Sequence, residues 1–214
     1  MTVVGLTQRV STVQDYQERR DALDQEWTRL CESIGVVPIP LPTQTTDIPG
    51  YMSEIKADAI ILTGGNDLAS MDSPSDPAPD RDEFEGRLLT EAINQGLPVV
   101  AVCRGFQLVN CEFGGGLVSV DGHVAESHTV KFSSESTTLQ LPAIAETNSY
   151  HDYAVTEETI AEEFRILGLT DDGVVECASH ESLPIFCVMW HPERDSTGML
   201  VKNGLLEQAL RGEI

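Results

Sequence analysis

The chain predicts an α/β fold, a three-layer α/β/α sandwich around a mainly parallel central sheet. Short apolar runs alternate with segments whose apolar residues recur at helical spacing, as in strands joined by crossover helices. The chemically suggestive motifs also fall just after strand runs, and open sheets of this type place their sites beyond the carboxyl ends of the strands. The 214 residues suffice for a substantial core, and no internal repeat or linker divides them, so residues 1–214 read as a single domain.

Thr2–Leu6 reads as the first strand. Tyr16–Ile34 reads as a helix, because Leu23, Trp27, Leu30 and Ile34 recur at helical spacing. Val36–Ile39 is a second strand, running into the proline-rich turn Pro38–Pro42. Asp58–Thr63 is a strongly apolar strand that ends in Gly64-Gly65-Asn66-Asp67. Asp, Ser and Pro crowd Ser70–Asp80 into a loop. A helix then starts at Asp80, with Glu83 three residues on as its capping partner. It carries Phe84, Leu88 and Ala92 on its inner face and stops at Gly96. The buried run Leu97–Val102 meets a further helix start at Cys103. Gly114-Gly115-Gly116 follows that helix, so it reads as a stop and a turn rather than a phosphate loop. Leu117–Met189 is strand-rich, and Ser196–Arg211 closes the chain as a helix.

Cys103 is the most informative residue. A cysteine at a sharp strand-to-helix turn lies at the sheet's carboxyl edge with helix N–H groups aimed at its sulfur, which favours thiolate. Ala101 and Gly105 supply the small neighbours that such an elbow needs. A buried, inert cysteine at a strand end is the plain alternative. That alternative loses weight because of Trp190-His191-Pro192-Glu193. Pro192 biases His191 toward extended backbone, where residues two apart share a side. Glu193 can then hold one imidazole nitrogen and leave the other for Cys103. Nucleophile, base and orienting carboxylate would form a triad of Cys103, His191 and Glu193. Taken separately, His191 could cap a strand and Glu193 the last helix. Gln107 lies one helical turn beyond Cys103 and faces the same edge, although a polar helix residue there needs no function.

Composition bounds the partners. The net charge of −22 argues against nucleic acid, whose phosphates would be repelled. It fits either a salt-rich habitat or a solvated face serving solubility. No apolar run is long enough to span a membrane. Met1–Arg9 lacks the basic start and apolar core of a signal peptide, so a cytoplasmic location is expected. Cys31, Cys103, Cys111, Cys177 and Cys187 lack CxxC spacing and read as free thiols. Asp121, His123 and His128 have no diagnostic metal spacing and read as surface residues, so no metal and no cofactor is expected. Four of the ten arginines fall between residues 9 and 29. Arginine near a site suits phosphate or carboxylate recognition, but Arg19 and Arg20 could equally pair with Glu18, Asp21 and Asp24 along a helix.

Gly64-Gly65-Asn66-Asp67, Cys103-Arg104-Gly105-Phe106-Gln107, Asn148-Ser149-Tyr150-His151 and Trp190-His191-Pro192-Glu193 together resemble the class I glutamine amidotransferase-like superfamily. Within it they are most similar to the γ-glutamyl hydrolases of the C26 peptidase family. The resemblance runs in the family's order from residue 64 to 193 and implies the flavodoxin-like amidotransferase fold. One departure is Ala101, where the family often has glycine; alanine is small enough to shift the elbow only slightly.

The resemblance implies that Cys103 attacks a γ-glutamyl carbonyl to form a thioester, with His191 as base and acid and Glu193 as its orienter. It implies an oxyanion hole of the Gly65 and Arg104 backbone N–H groups. Gly64, Asn66, Gln107, Asn148, Ser149, Tyr150 and His151 would line the pocket for the glutamyl group. The N-terminal segment also resembles the γ-glutamyl-CDP-amidate hydrolase subgroup, which releases glutamate from a nucleotide phosphoramidate. Gln8, Arg9, Arg19 and Arg20 are then the candidate contacts to the leaving group. A small γ-glutamyl compound is the expected partner, and self-association into a homo-oligomer stays open. Hydrolases of the γ-glutamyl-aminobutyrate type are the nearest alternative. A glutaminase subunit feeding ammonia to a separate synthetase is another, and an inactive binding module is a third, disfavoured by the intact triad.

Overall fold

The computed structural model describes residues 2–133, 139–195, 199–202 and 204–214. Strand β1 (Thr2–Leu6) is followed by β2 (Arg9–Val13) and β3 (Glu18–Ala22), then helix α1 (Gln25–Ser33), β4 (Val36–Pro40), α2 (Ile48–Ile55) and β5 (Ala59–Leu62). Helix α3 (Pro79–Gln95), β6 (Val99–Val102) and α4 (Arg104–Glu112) continue the alternation. Seven strands come next: β7 (Val118–Ser119), β8 (Val124–Phe132), β9 (Ile144–Tyr150), β10 (Tyr153–Ala154), β11 (Phe164–Leu169), β12 (Val175–His180) and β13 (Ile185–Val188). Two short helices, α5 (Met199–Lys202) and α6 (Leu205–Leu210), end the chain.

The central sheet has nine strands in the order β4-β1-β5-β6-β13-β12-β11-β8-β9. The first five run parallel. The remaining four continue antiparallel. The sheet is therefore mixed, with a parallel core. The sequences AIIL, VVAV and IFCV of β5, β6 and β13 are buried at every position, as strands covered on both faces must be. Alternate residues go to opposite sides. Val100, Val102 and Val188 pack with Trp27, Leu205 and Leu206 beneath α1 and α6. Val99, Ala101 and Cys187 pack with Met52, Phe84, Leu88 and Phe106 of α2, α3 and α4. These are the two halves of the three-layer core. Among the described residues no helix is long and apolar enough to cross a membrane.

The predicted helix over Tyr16–Ile34 is corrected. Its first part is β3, paired antiparallel with β2 from Arg9↔Ala22 to Val13↔Glu18. The stretch Glu18–Ala22 has almost no apolar side chains to commit it to either state, and pairing with Val10, Thr12 and Val13 decides for strand. The helix starts only at Gln25, where the Asp24 carboxylate accepts from the Glu26 N–H at 3.1 Å. Leu23, Leu30 and Ile34 do pack on the core, as their spacing requires.

Three smaller differences follow from capping. Helix α2 was not anticipated; Asp47 caps it by accepting from Gly50 N–H at 3.0 Å, and Pro49 sits in its first turn. Helix α3 begins at Pro79 without a side-chain cap, because Asp80 binds Arg19 and Gln44 instead of closing a capping box. The expected closing helix breaks into α5 and α6 at Gly204, which has φ 64°; its predicted start at Ser196 lies outside the described residues. Gly96 does end α3 in the left-handed conformation.

One close approach fixes where α4 starts. A Cβ on Gly105 would lie 2.3 Å from the Leu62 carbonyl oxygen, so the first turn of α4 rests directly on β5. Gly105→Ala is expected to cost on the order of 1–3 kcal/mol by overpacking and to lower the thermal midpoint by several degrees. Calorimetric melting of the variant checks this, and an unchanged midpoint would contradict the contact.

Candidate active site

Strands β5, β6 and β13 are neighbours in the sheet, so the segments leaving their carboxyl ends emerge side by side. These segments are Thr63-Gly64-Gly65, Cys103 and Trp190-His191. The three motifs, far apart in sequence, thus meet at one sheet edge.

Cys103 forms the elbow between β6 and α4 with φ 52° and ψ −107°, a conformation that costs a non-glycine residue roughly 1–3 kcal/mol. Its surroundings enforce the turn. The Cys103 N–H donates to the Val188 carbonyl at 2.8 Å, and the Gln107 N–H donates to the Cys103 carbonyl at 3.1 Å. The backbone at Gly64 closes over the site. A Cβ there would lie 2.6 Å from His191 Cε1, 3.3 Å from His191 Nε2 and 3.5 Å from Cys103 Cβ. Gly65 adopts φ 94°, which favours glycine, and its α-carbon faces the Arg9 side chain.

His191 is extended, at φ −98° and ψ 98°, and Pro192–Arg194 turns back as a single 3-10 turn. This brings Glu193 Oε1 to 2.7 Å from His191 Nδ1. Asn148 grips the His191 backbone from the other side. Its Oδ1 accepts from His191 N–H at 2.8 Å and its Nδ2 donates to the His191 carbonyl at 2.9 Å. Tyr150 meets the imidazole edge-on at 5.5 Å, and the Arg194 guanidinium stacks 5.2 Å over the tyrosine ring. Burial alone would lower the His191 pKa. The charge of the Cys103 sulfur, its hydrogen bond to the ring and the Glu193 carboxylate reverse that and push it up from 6.5 to about 10. The arrangement can keep an imidazolium beside a sulfur nucleophile at neutral pH.

A buried ion network supports the loop and the elbow together. Arg81 donates to the carbonyls of Thr63 at 2.8 Å and Gly64 at 3.1 Å, and pairs with Glu85 at 2.8 Å. Glu85 and Asp82 also bind the Arg104 guanidinium. Burial alone would raise the Glu85 carboxyl; Arg104 and Arg81 more than reverse this and hold it ionised. The Arg104 side chain is thus committed to the core. Sequence reasoning missed Arg81 and Glu85. The available signal was a charged i,i+4 pair in the same stripe as Phe84 and Leu88.

A cavity of about 290 Å³ opens over Cys103 and His191, lined also by Arg9, Gly65, Gln107, Tyr150 and His151. The expected glutamyl-pocket residues divide. Gln107 lines the cavity and donates to the Tyr153 carbonyl at 2.7 Å. Asn66 also borders the cavity, but its amide is spent on the backbone of Val10, at 2.8 and 2.9 Å, and on Asp76. Ser149 is fully buried and donates to the His123 carbonyl at 2.6 Å. Gly64 packs on His191, and Asn148 holds its backbone. Of the leaving-group candidates, Arg9 reaches the cavity, where it pairs with Asp76 at 2.9 Å. Gln8 donates to the Leu41 carbonyl, Arg19 pairs with Asp80, and Arg20 pairs with Glu18 and Tyr16. None of these three lines the cavity. The surface reading of His123 and His128 is corrected: His123 is buried and His128 half-buried, both turned inward toward His151 and Glu176, while Asp121 stays exposed and apart.

Residues 2–193 match the Peptidase C26 family. A γ-glutamyl-CDP-amidate hydrolase of Campylobacter jejuni is 31% identical over 196 residues, covering 90% of each chain. The protein NtpR of Enterococcus hirae is 30% identical over 197 residues, covering 80% of this chain and 81% of that one. The crystal structure of a glutamine amidotransferase from Thermotoga maritima superposes with a TM-score of 0.68 at 12% identity, over 97% of this chain and 82% of that one.

The electrostatics of His191 can be read directly. Its imidazole is expected to titrate only toward about pH 10, followed by nitrogen NMR of the ring. Cys103→Ala and Glu193→Gln should each move the titration to lower pH, because each removes a negative partner that favours the charged ring. A ring that titrates near its ordinary value in the unsubstituted protein would contradict the pairing.

Proposed function

The chain belongs to the peptidase C26 family of class I glutamine amidotransferase-like hydrolases, and on that premise we propose that it hydrolyses γ-glutamyl amide bonds through a thioester on Cys103, with residues 1–214 acting as one catalytic domain. The observation that carries this is the strained elbow at Cys103 beside an imidazole whose far nitrogen is held by Glu193 at 2.7 Å. Nucleophile, base and orienter are the three parts that acyl transfer needs.

The Cys103 thiolate attacks the γ-carbonyl carbon, and the oxyanion is taken by the backbone N–H groups of Gly65 and Arg104. His191 gives its proton to the leaving nitrogen as the C–N bond breaks, leaving a γ-glutamyl thioester. Water then attacks the thioester with His191 as base, releasing glutamate and restoring the thiolate–imidazolium pair. Glu193 keeps the ring in register and stabilises its charged form throughout. Gln107, Tyr150 and His151 line the wall of the cavity and would contact the glutamyl end.

For the leaving group we propose a γ-glutamyl nucleotide phosphoramidate such as γ-glutamyl-CDP-amidate. Its support is the 31% identical Campylobacter jejuni hydrolase and Arg9, a guanidinium at the cavity mouth suited to phosphate oxygens.

Glutamate release from γ-glutamyl compounds and from free glutamine, by the purified protein alone, tests the activity. Cys103→Ala is expected to abolish release with the fold retained, while substitutions of the other four cysteines leave it intact. Turnover by Cys103→Ala at the unsubstituted rate would rule out the thioester. For the leaving group, Arg9→Ala should lower kcat/KM for a phosphate-bearing γ-glutamyl amide on the order of 10–100-fold, the loss of one charged hydrogen bond. An uncharged γ-glutamyl amide should be turned over almost as before. Equal losses on both substrates would exclude recognition of the anion by Arg9.

A further inference from the structure

Beside the Cys103 cavity the described residues hold one more convergence of ligating side chains. His123 precedes β8, His128 lies on β8, His151 follows β9 and Glu176 lies on β12. Each presents one ligand atom, and the four atoms lie within 4.8 Å of one another. The ring of His123 is 4.1 Å from that of His128 and 5.0 Å from that of His151, centre to centre.

Six polar atoms of this cluster lack a hydrogen-bond partner. His123 Nδ1, His128 Nε2, both ring nitrogens of His151 and both carboxylate oxygens of Glu176 are buried without a hydrogen bond. The equally buried Arg81 has every guanidinium nitrogen hydrogen-bonded, so six orphaned atoms in one place need an account. Glu176 is wholly buried, and its Oε1 lies 3.4 Å from His151 Nε2. Lone pairs and a carboxylate facing one another repel unless a cation or a proton lies between them.

Two details of the geometry suit a metal ion. His123 Nε2 lies 2.8 Å from Asp172 Oδ2. A carboxylate only accepts, so Nε2 carries the proton and the Nδ1 lone pair is free for an ion, the carboxylate–histidine–metal relation. His151 Nε2 and Glu176 Oε1 are 3.4 Å apart, and two ligands on a tetrahedral ion with bonds of ~2.0–2.1 Å are separated by about this distance. Three imidazoles and one carboxylate suit zinc and its neighbours, whereas calcium and magnesium take oxygen ligands.

We propose that His123, His128, His151 and Glu176 bind one divalent transition-metal ion of the zinc class. His151 also lines the Cys103 cavity, so the ion sits on the wall of that cavity and ties the β8–β9 pair to β12. The proposal is independent of the hydrolytic reading, because its readout is metal content.

The test is titration of the chelator-stripped protein with Zn²⁺, followed calorimetrically, and with Co²⁺, followed by visible absorption. Saturation at one ion per chain and the visible bands of low-coordinate cobalt are expected. Glu176→Gln should abolish the stoichiometric step. Asp172→Asn replaces the carboxylate behind His123, which also accepts from Thr170, with an isosteric amide on a side chain 58% exposed. It should weaken Zn²⁺ binding on the order of 10–100-fold without moving the melting curve of the metal-free protein. A titration with no saturable one-ion step would overturn the site, and so would Zn²⁺ binding that both substitutions leave unchanged.

Discussion

Glu85 holds the site together. Its buried carboxylate takes the guanidinium of Arg81 on one side and that of Arg104 on the other. Arg81 in turn binds the carbonyls of Thr63 and Gly64, and Arg104 opens the helix that follows Cys103. One carboxylate therefore couples the loop after β5 to the elbow after β6. Removing one member of such a buried set costs about 3–5 kcal/mol, because it strands a charge in the interior. The set contributes position more than stability, since apolar replacement of a whole buried ion set is often neutral or stabilising.

The elbow is where that positioning is spent. A cysteine at φ 52° is unfavourable unless its neighbours leave the backbone no alternative. Ala101 is buried in the sheet and Gly105 lies against the Leu62 carbonyl, so larger side chains on either flank would push α4 off β5. The Val188 carbonyl fixes the Cys103 N–H. Because β13 also delivers His191 two residues after Met189, the same strand that anchors the thiol's backbone aims the imidazole at it. Asn148, from the antiparallel half of the sheet, then fastens His191 through two backbone bonds. It acts on the position of the ring, and its side chain is spent there.

The antiparallel half has a second effect. Its strands bring His123, His128, His151 and Glu176 together, and His151 also lines the Cys103 cavity. The net charge of −22 makes the few guanidiniums conspicuous. Arg81 and Arg104 are sealed in the core, and Arg9 and Arg194 are brought to the cavity rim.

The sequence by itself determined whatever depends on neighbours along the chain. The apolar runs of β5, β6 and β13, the small residues around Cys103, the two-residue spacing of His191 and Glu193, and the glycine stop of α3 were all legible, because each is set by local backbone geometry and side-chain periodicity. Of the pocket residues that the four-motif resemblance implies, Asn66, Gln107, Tyr150 and His151 border the cavity, whereas Gly64, Asn148 and Ser149 do not. The start of the predicted helix, residues 16–22, was misread, since a charged stretch without apolar periodicity adopts whichever state its partner strand offers. Tertiary structure alone decided which polar side chains share a space. Arg81 with Gly64, Asn148 with His191, Arg9 rather than Arg19 or Arg20 at the cavity, and the four ligands of the cluster come from segments up to 53 residues apart in the cluster itself. Their meeting depends on strand order and on the antiparallel return of β8 and β9, which no local pattern of residues encodes.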